Sequence, residues 1–573
     1  MRRSIHLCSL IAMPFFSLAA PFFSLAAVNT AAAEESSRFV DLSLMISPEY
    51  PCTWPDFSPP FRLIPEHRIG RTSAYNIDTL IIDGNCGTQM DVPAHSVTRP
   101  ELGLPNAGPF GEEFSDKAPP WKFAGEACVV DLHQIRDDAP NGASPRILKR
   151  HVTEWENRHR QFRAGDVVLF HSGYTDAYYL PLPAGRRLLA DVMEQKAPGF
   201  PGPEVDTMEY LAGQRHVRHI GTDSPSMGTL PDIGEPVHYA ALRHGAVFTE
   251  GAVGLDQLPT TGAFYCMLSR KNRGGPYTEG RAFAIVGGEL PQKLIESVRK
   301  EQAVDLSVVN SIDHPLAWPG KGTGYSRQRF AKADFLFSDN LQLYHHGHIM
   351  DSMAGTHLVP PAFALPAEKL NPNAYAPEVH VWLDEYQRQY GPRGESDITT
   401  EKVPLSQTCG WARVIDVRHL VGTTIRAHWP TSPEITVDEI KQHEAAHGKL
   451  NPGEIVIFHS LHNDRHFQSR LAGNACMLDP INGKSEGWPA PGPDAIAYLA
   501  QRGIRCVATD GPSLGGVEPK RALMTYWMLG SKGMAGVEFL INVGQLPERS
   551  YFLFAAVKVK GCHGGPGRAI ALF

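Results

Sequence analysis

The chain repeats itself, and this constrains its fold more than any other feature. Asp41-Leu42-Ser43 returns as Asp305-Leu306-Ser307, and Val129-Val130-Asp131-Leu132 as Val414-Ile415-Asp416-Val417. Gly165-Asp166-Val167-Val168-Leu169-Phe170-His171-Ser172 returns as Gly453-Glu454-Ile455-Val456-Ile457-Phe458-His459-Ser460. Thr222-Asp223-Ser224-Pro225-Ser226 is matched by Thr509-Asp510-Gly511-Pro512-Ser513, and Gly280-Arg281-Ala282-Phe283-Ala284 by Gly567-Arg568-Ala569-Ile570-Ala571. The blocks keep their order, and most lie about 285–288 residues apart. Five ordered coincidences do not arise by chance. The 573 residues must therefore build one kind of domain twice.

Each copy reads as a mixed α/β unit. Val167–Phe170 is an unbroken apolar run after a Gly-Asp turn, as a buried strand requires. Pro203-Glu204 opens a short helix through Tyr210-Leu211-Ala212, with Pro early and acids in the first turn. A strand over 217–221 follows. The second copy repeats the order from Pro493-Asp494 to a strand over 504–508. Between the copies, Leu294, Ile295 and Val298 fall at helical spacing, which predicts a linker helix over 291–302 rather than a Gly/Ser spacer. The expected layout is a signal sequence over 1–33, a first domain over 34–290, that linker, and a second domain over 303–573. Units joined so tightly should pack together.

The N-terminus carries Arg2 and Arg3, an apolar stretch from Leu7 to Val28, and Ala31-Ala32-Ala33 before Glu34, the pattern of a cleaved secretory signal. We expect an exported protein, periplasmic or secreted, with no membrane attachment after cleavage. A formal charge of −7 argues against nucleic acid as a partner. Of nine cysteines, Cys8 lies in the signal and no Cys-x-x-Cys pair occurs, which speaks against a zinc ribbon or a thioredoxin-type site.

The chemistry gathers in Gly84-Asn85-Cys86-Gly87-Thr88-Gln89-Met90-Asp91-Val92-Pro93-Ala94-His95. A period-two apolar run, Tyr75 to Ile82, leads into it and predicts a strand. Gly84 and Gly87 permit tight turns, and Pro93 stiffens the exit. Asn85, Gln89 and Asp91 offer oxygens at short spacing, suited to one hard or borderline cation. His95, four residues on, is placed to act as acid or base toward a water activated by that cation.

This stretch resembles the signature of the cyclase / bacterial kynurenine formamidase family, His-x-Gly-Thr-His-x-Asp-x-Pro-x-His. Gly87, Thr88, Asp91, Pro93 and His95 match; Asn85 and Gln89 stand where the family has histidines, the first normally a metal ligand. The resemblance implies two tandem swivelling β/β/α domains, a mixed α/β class, and, because members of the family are commonly oligomers, a pseudo-dimer within one chain with a homo-oligomer as a further expectation. It also implies a further His and Glu as metal ligands twelve positions apart, which His238 and Glu250 fit, with Gly254-Leu255-Asp256-Gln257-Leu258-Pro259 following as in the family. The implied set is Asn85, Gln89, Asp91, His238 and Glu250 around a divalent metal, Mn2+ or Zn2+, with His95 catalytic. Two amides for two imidazoles shift preference toward oxygen-favouring ions such as Mn2+.

In the second copy Met353, Val359 and Phe363 replace Asn85, Asp91 and His95, and Tyr526 stands where His238 would be; His357 and Glu538 remain. Val and Phe neither ligate nor transfer protons, so this copy reads as a degenerate half. The implied function is metal-dependent hydrolysis of a small amide, formamide or lactone, arylformamidase-like, the activity that in tryptophan catabolism yields kynurenine. The alternative is a catalytically inactive exported binding protein on the same fold.

Overall fold

The computed structural model describes residues 37–55, 58–231, 234–319, 330–336 and 344–573. The signal sequence expected over residues 1–33 lies outside them. Among the described residues no helix is long and apolar enough to cross a membrane.

The first repeat supplies strands β1 (Arg38–Asp41), β2 (Arg62–His67), β3 (Ile77–Asp83), β4 (Gln89–Asp91), β5 (Ala124–Asp131), β6 (Asp166–His171), β7 (His219–Thr222), β8 (Val247–Glu250), β9 (Phe264–Ser269) and β10 (Tyr277–Val286). The second supplies β11 (Ala303–Asp305), β12 (Phe330–Leu336), β13 (Tyr344–Asp351), β14 (His357–Val359), β15 (Cys409–Asp416), β16 (Ile455–His459), β17 (Cys506–Thr509), β18 (Ala535–Glu538), β19 (Tyr551–Ala556) and β20 (Gly565–Leu572).

Each repeat closes a seven-stranded barrel-like sheet. In the first the ring runs β10-β9-β5-β6-β7-β8-β4 and returns to β10, with β1 added outside β10. In the second it runs β20-β14-β18-β17-β16-β15-β19 and returns to β20, with β11 added to β20. Both rings have the same mixture: β5-β6-β7-β8 and β15-β16-β17-β18 are parallel, and the remaining pairings are antiparallel. Closure leaves the parallel strands no free edge and covers both faces, which explains their continuous apolar runs. All six residues of β6 and all ten of β10 are buried.

The helix Leu290–Arg299 joins the repeats and buries Leu294, Ile295 and Val298, the three positions singled out by spacing. These side chains belong to one core cluster that also holds Leu405, Leu553 and Leu572 of the second repeat. Burying an aliphatic side chain of this size contributes about 1.5–3 kcal/mol, so the joint is held by packing and not by the covalent link alone.

A separate four-stranded sheet, β12-β13-β3-β2, also crosses between repeats. β3 and β13 pair antiparallel, Asp83 opposite Gly347 and Thr79 opposite Asp351. The hairpin β2–β3 thus leaves its own barrel and reaches over the second one.

Two repeated blocks meet in a clasp between the halves. Asp41 pairs with Arg281 of its own repeat (2.9 Å) and with Lys558 of the other (2.9 Å). Asp305 likewise pairs with Arg568 (2.7 Å) and with Lys271 across the joint (2.9 Å). The Asp-Leu-Ser and Gly-Arg-Ala blocks therefore recur because each Asp needs its Arg.

Candidate metal centre

The motif folds as a strand between two tight turns. Gly87 has φ +70°, and a Cβ there would stand 2.7 Å from Ile46, so glycine is required on both counts. Thr88 Oγ1 accepts from Leu44 N–H (2.9 Å) and donates to Gly251 C=O (2.7 Å), fixing the start of β4 against β8. In the second repeat Thr356 Oγ1 makes the same two bonds, to Val308 and Phe539. β4 then pairs with β8 so that Gln89 faces Glu250. A 3-10 turn over Pro93–His95 swings His95 back toward the strand it has just left.

His238 comes from the helix Gly234–Leu242. Its Nδ1 donates to Gly234 C=O (2.7 Å), which fixes the ring and turns Nε2 inward. Nε2 lies 3.3 Å from Glu250 Oε1 and 3.5 Å from Asp91 Oδ2. His95 Nε2 lies 3.9 Å from the same Asp91 oxygen, and its ring meets His238 edge-on at 5.4 Å. One ligand atom each from Asp91, His95 and His238 falls within 4.8 Å of the others.

The electrostatics are those of a buried anionic site. Asp91 is fully buried, and neither of its oxygens has a hydrogen-bond partner. Burial first, and then the charge of Glu250, push its carboxyl up to about 7, against the pull of His238. Burial would lower the pKa of His238, but the carboxylates of Asp91 and Glu250 facing its Nε2 outweigh it and hold the imidazole up to about 10. Among the described residues no Lys or Arg pairs with either carboxylate.

These donors fit a divalent ion. Two carboxylates and two imidazoles are the donors that Zn2+ and Mn2+ take at about 2.0–2.2 Å. The bare Asp91 oxygens, the anchored tautomer of His238 and the crowding of like charges are each relieved by a cation at their centre.

The remaining predicted residues divide. Gln89 sits at the cluster: its Nε2 donates to Glu250 Oε2 (2.6 Å), and its buried Oε1 has no hydrogen-bond partner. Glu250 is more committed than its spacing suggested, since it also accepts the Met227 N–H and faces His238. Asn85 does not join the group through any contact of the described residues. Its N–H is held by Asp83 Oδ1 (2.7 Å), and it lines a small space with Cys52, Trp54 and Tyr179. Cys86 is wholly buried, and burial pushes its thiol well above the usual range, which makes it packing and not a nucleophile.

The second repeat shows what this arrangement becomes without ligands. Glu538 accepts from Leu514 N–H (2.7 Å) and Tyr526 OH (2.6 Å), and lies 3.1 Å from His357 Nε2. Phe363 meets Tyr526 edge-on at 5.1 Å, as His95 meets His238. Val359 removes the carboxylate that Asp91 contributes in the first repeat, and the remaining one, Glu538, is bonded to Leu514, Tyr526 and His357.

His171 and His459, present in both copies, belong to a structural device. Asp223 accepts Ser172 N–H, Ser172 Oγ–H and Gly173 N–H, and Asp510 repeats this with Ser460 and Leu461, adding His459 Nδ1 at 2.9 Å. His171, Asp176 and Asp223 also come close enough to hold an ion. The same Asp network in the ligand-poor second repeat favours a turn-capping role.

Sequence reasoning missed Tyr277, whose ring packs edge-on against His95 at 5.2 Å, and the lysines of the clasp. Lys271 and Lys558 share the 287-residue offset of the other blocks, and that offset was the available signal.

A search among curated proteins finds no match. Among solved structures the chain is similar to isatin hydrolase A from Labrenzia aggregata (22% identity, 44% of this chain and 94% of that one, TM-score 0.36). It is also similar to isatin hydrolase A from Ralstonia solanacearum (24% identity, 44% and 92%, TM-score 0.37). A third is a "predicted metal-dependent hydrolase" from Bacillus stearothermophilus (18% identity, 44% and 98%, TM-score 0.30). The sequence profile of the family described as "Putative cyclase" matches residues 40–229 and again 304–515. Both repeats are matched, over more than half of the chain, and the protein belongs to the cyclase family as a tandem duplication.

Proposed function

We propose that the first repeat is a divalent-metal-dependent hydrolase of small amides, formamides or lactones. The observation that carries this reading is the buried convergence of Asp91, His95 and His238, with both Asp91 oxygens lacking hydrogen bonds. Asp91, His238 and Glu250 would hold the ion, with the Gln89 carbonyl oxygen beside them. A divalent cation there supplies a Lewis acid that brings the ionisation of water into the neutral range.

The protein's own groups then do the proton work. His95 takes the proton from the attacking water as its oxygen adds to the substrate carbonyl carbon. It returns that proton to the leaving nitrogen or oxygen as the C–N or C–O bond breaks. Tyr277 holds the His95 ring from the side, and the Pro93–His95 turn keeps it within reach of Asp91.

The test is elemental analysis joined to turnover. We expect one Zn2+ or Mn2+ per chain, lost in Asp91→Ala, because the neutral Gln89 amide cannot replace an anionic ligand. Hydrolysis of formanilides, lactones or cyclic amides should need the ion and stop with chelator. A purified chain that binds no divalent ion and turns over none of these would leave the inactive binding protein as the better reading.

A further inference from the structure

The second repeat has lost its ligands but not its cavity. A space of about 570 Å³ opens over Glu538, His357 and Tyr526, the counterparts of Glu250, Gln89 and His238. Its walls are Met353, Phe363, Trp382 and Leu523. Its roof is contributed by the first repeat, through residues 70–75 of the β2–β3 hairpin. Tyr75 stacks on Phe363 (4.7 Å between centroids, 16° between planes) and meets Tyr526 edge-on at 5.9 Å. The roof is pinned: Asn76 donates its N–H to Phe363 C=O and its side-chain amide to Ala362 C=O, both at 2.8 Å.

The lining specifies an occupant. The volume suits a molecule of one or two rings, and flat aromatic walls favour a flat aromatic guest. Glu538 does not reproduce the metal centre of the first repeat: Val359 and Tyr526 stand where that repeat has Asp91 and His238, and the Leu514 N–H, the Tyr526 hydroxyl and His357 hold its oxygens. An anionic guest is disfavoured, since Asp351, Glu378 and Glu538 line the cavity against Arg71. One polar handle is left over. Ser513 Oγ lines the cavity beside the Tyr526 hydroxyl, which is itself held by Glu538, and its residue is 5% exposed. A buried hydroxyl so poorly supplied with partners gains from one that a guest brings.

We propose that this cavity is a metal-independent binding site for a small, uncharged, planar aromatic molecule bearing one hydroxyl, carbonyl or amide group. It is built jointly by the two repeats and stands whether or not the first repeat is a hydrolase.

Calorimetry on the full chain tests this, with Asp91→Ala in the presence of EDTA so that the first site is silent. The probe is 2-naphthol; 2-naphthoate is the charged control and decahydro-2-naphthol the non-planar one. We expect one equivalent of 2-naphthol to bind, and both controls to bind at least about tenfold more weakly. Ala522→Trp, which fills the cavity from the helix Pro519–Ser531, should abolish binding. Ser513→Ala should weaken it about three- to tenfold, and Tyr75→Ala, on the other repeat, should weaken it further than that. If Ala522→Trp does not fold, these last two variants decide the matter. No heat with 2-naphthol, equal binding of 2-naphthoate, or binding untouched by the foldable variants would overturn the proposal.

Discussion

Replacing His95 by Ala is expected to slow hydrolysis by on the order of 10²–10⁴-fold while the chain keeps its fold and its metal. The residue sits at the end of a 3-10 turn, with its side chain 11% exposed and Nε2 3.9 Å from Asp91 Oδ2. At that distance His95 can share a water held in the cluster, or a place on the ion itself. Asp91, His238 and Glu250 remain in the variant, so two carboxylates and an imidazole still hold the ion. What disappears is the group that moves the proton. The internal control is His357→Ala, expected to leave the rate unchanged, because its repeat has Val359 and Phe363 where the first has Asp91 and His95. The panel of formanilides, lactones and cyclic amides should be run with Zn2+ and with Mn2+ on wild type and both variants, alongside metal content. Should His95→Ala come out of purification without metal, His95 is a ligand and the proton carrier must be sought elsewhere. Activity lost in His357→Ala and kept in His95→Ala would place catalysis in the wrong repeat.

The duplication and its α/β elements were legible in the chain because their determinants are local and printed twice. The Gly-Asp turn before β6, the Pro that starts the helix Pro493–Gln501 and the apolar positions of the linker helix each act within a few residues. The family resemblance pointed to Gln89, Asp91, His238 and Glu250, and the pairing of β4 with β8 sets Gln89 opposite Glu250 across a long separation in sequence. For Asn85, a motif position alone says nothing of side-chain reach beyond a turn. The reading missed the role of Tyr75. The period-two run was right about the strand, which begins at Ile77, yet nothing in that run tells that the preceding residues roof a cavity in the other half. Contacts of this kind depend on how two folded units dock, and the sequence records them only as paired changes far apart.

The clasp between repeats carries the largest expected effect on stability. Asp305 is 14% exposed at its side chain and faces two cations, Arg568 at 2.7 Å and Lys271 at 2.9 Å. Arg568 is fully buried, lies over the Phe123 ring at 4.5 Å and donates to Ser115 C=O (2.8 Å), so it cannot swing out to water. Asp305→Ala would leave that guanidinium without its counter-charge in the joint between the halves. Breaking a buried pair from one side costs about 3–5 kcal/mol, read as a lowered urea midpoint at pH 7. Asp41→Ala, at the equivalent place, should cost less, because Asp41 is 26% exposed and water can replace part of its partnership. The pH dependence follows from the direction of the shift. Burial works to raise the Asp305 pKa, but Arg568 and Lys271 outweigh it and hold the carboxyl below its ordinary value. A carboxylate depressed in the folded state stabilises the fold above the unfolded pKa of about 3.9, and this stabilisation fades as pH falls through the folded value. The gap between wild type and Asp305→Ala should therefore be widest near neutrality and close progressively below about pH 4. A gap that stays constant into acid, or an Asp305→Ala protein as stable as wild type at pH 7, would mean that the apolar core around the linker helix holds the repeats together without the clasp.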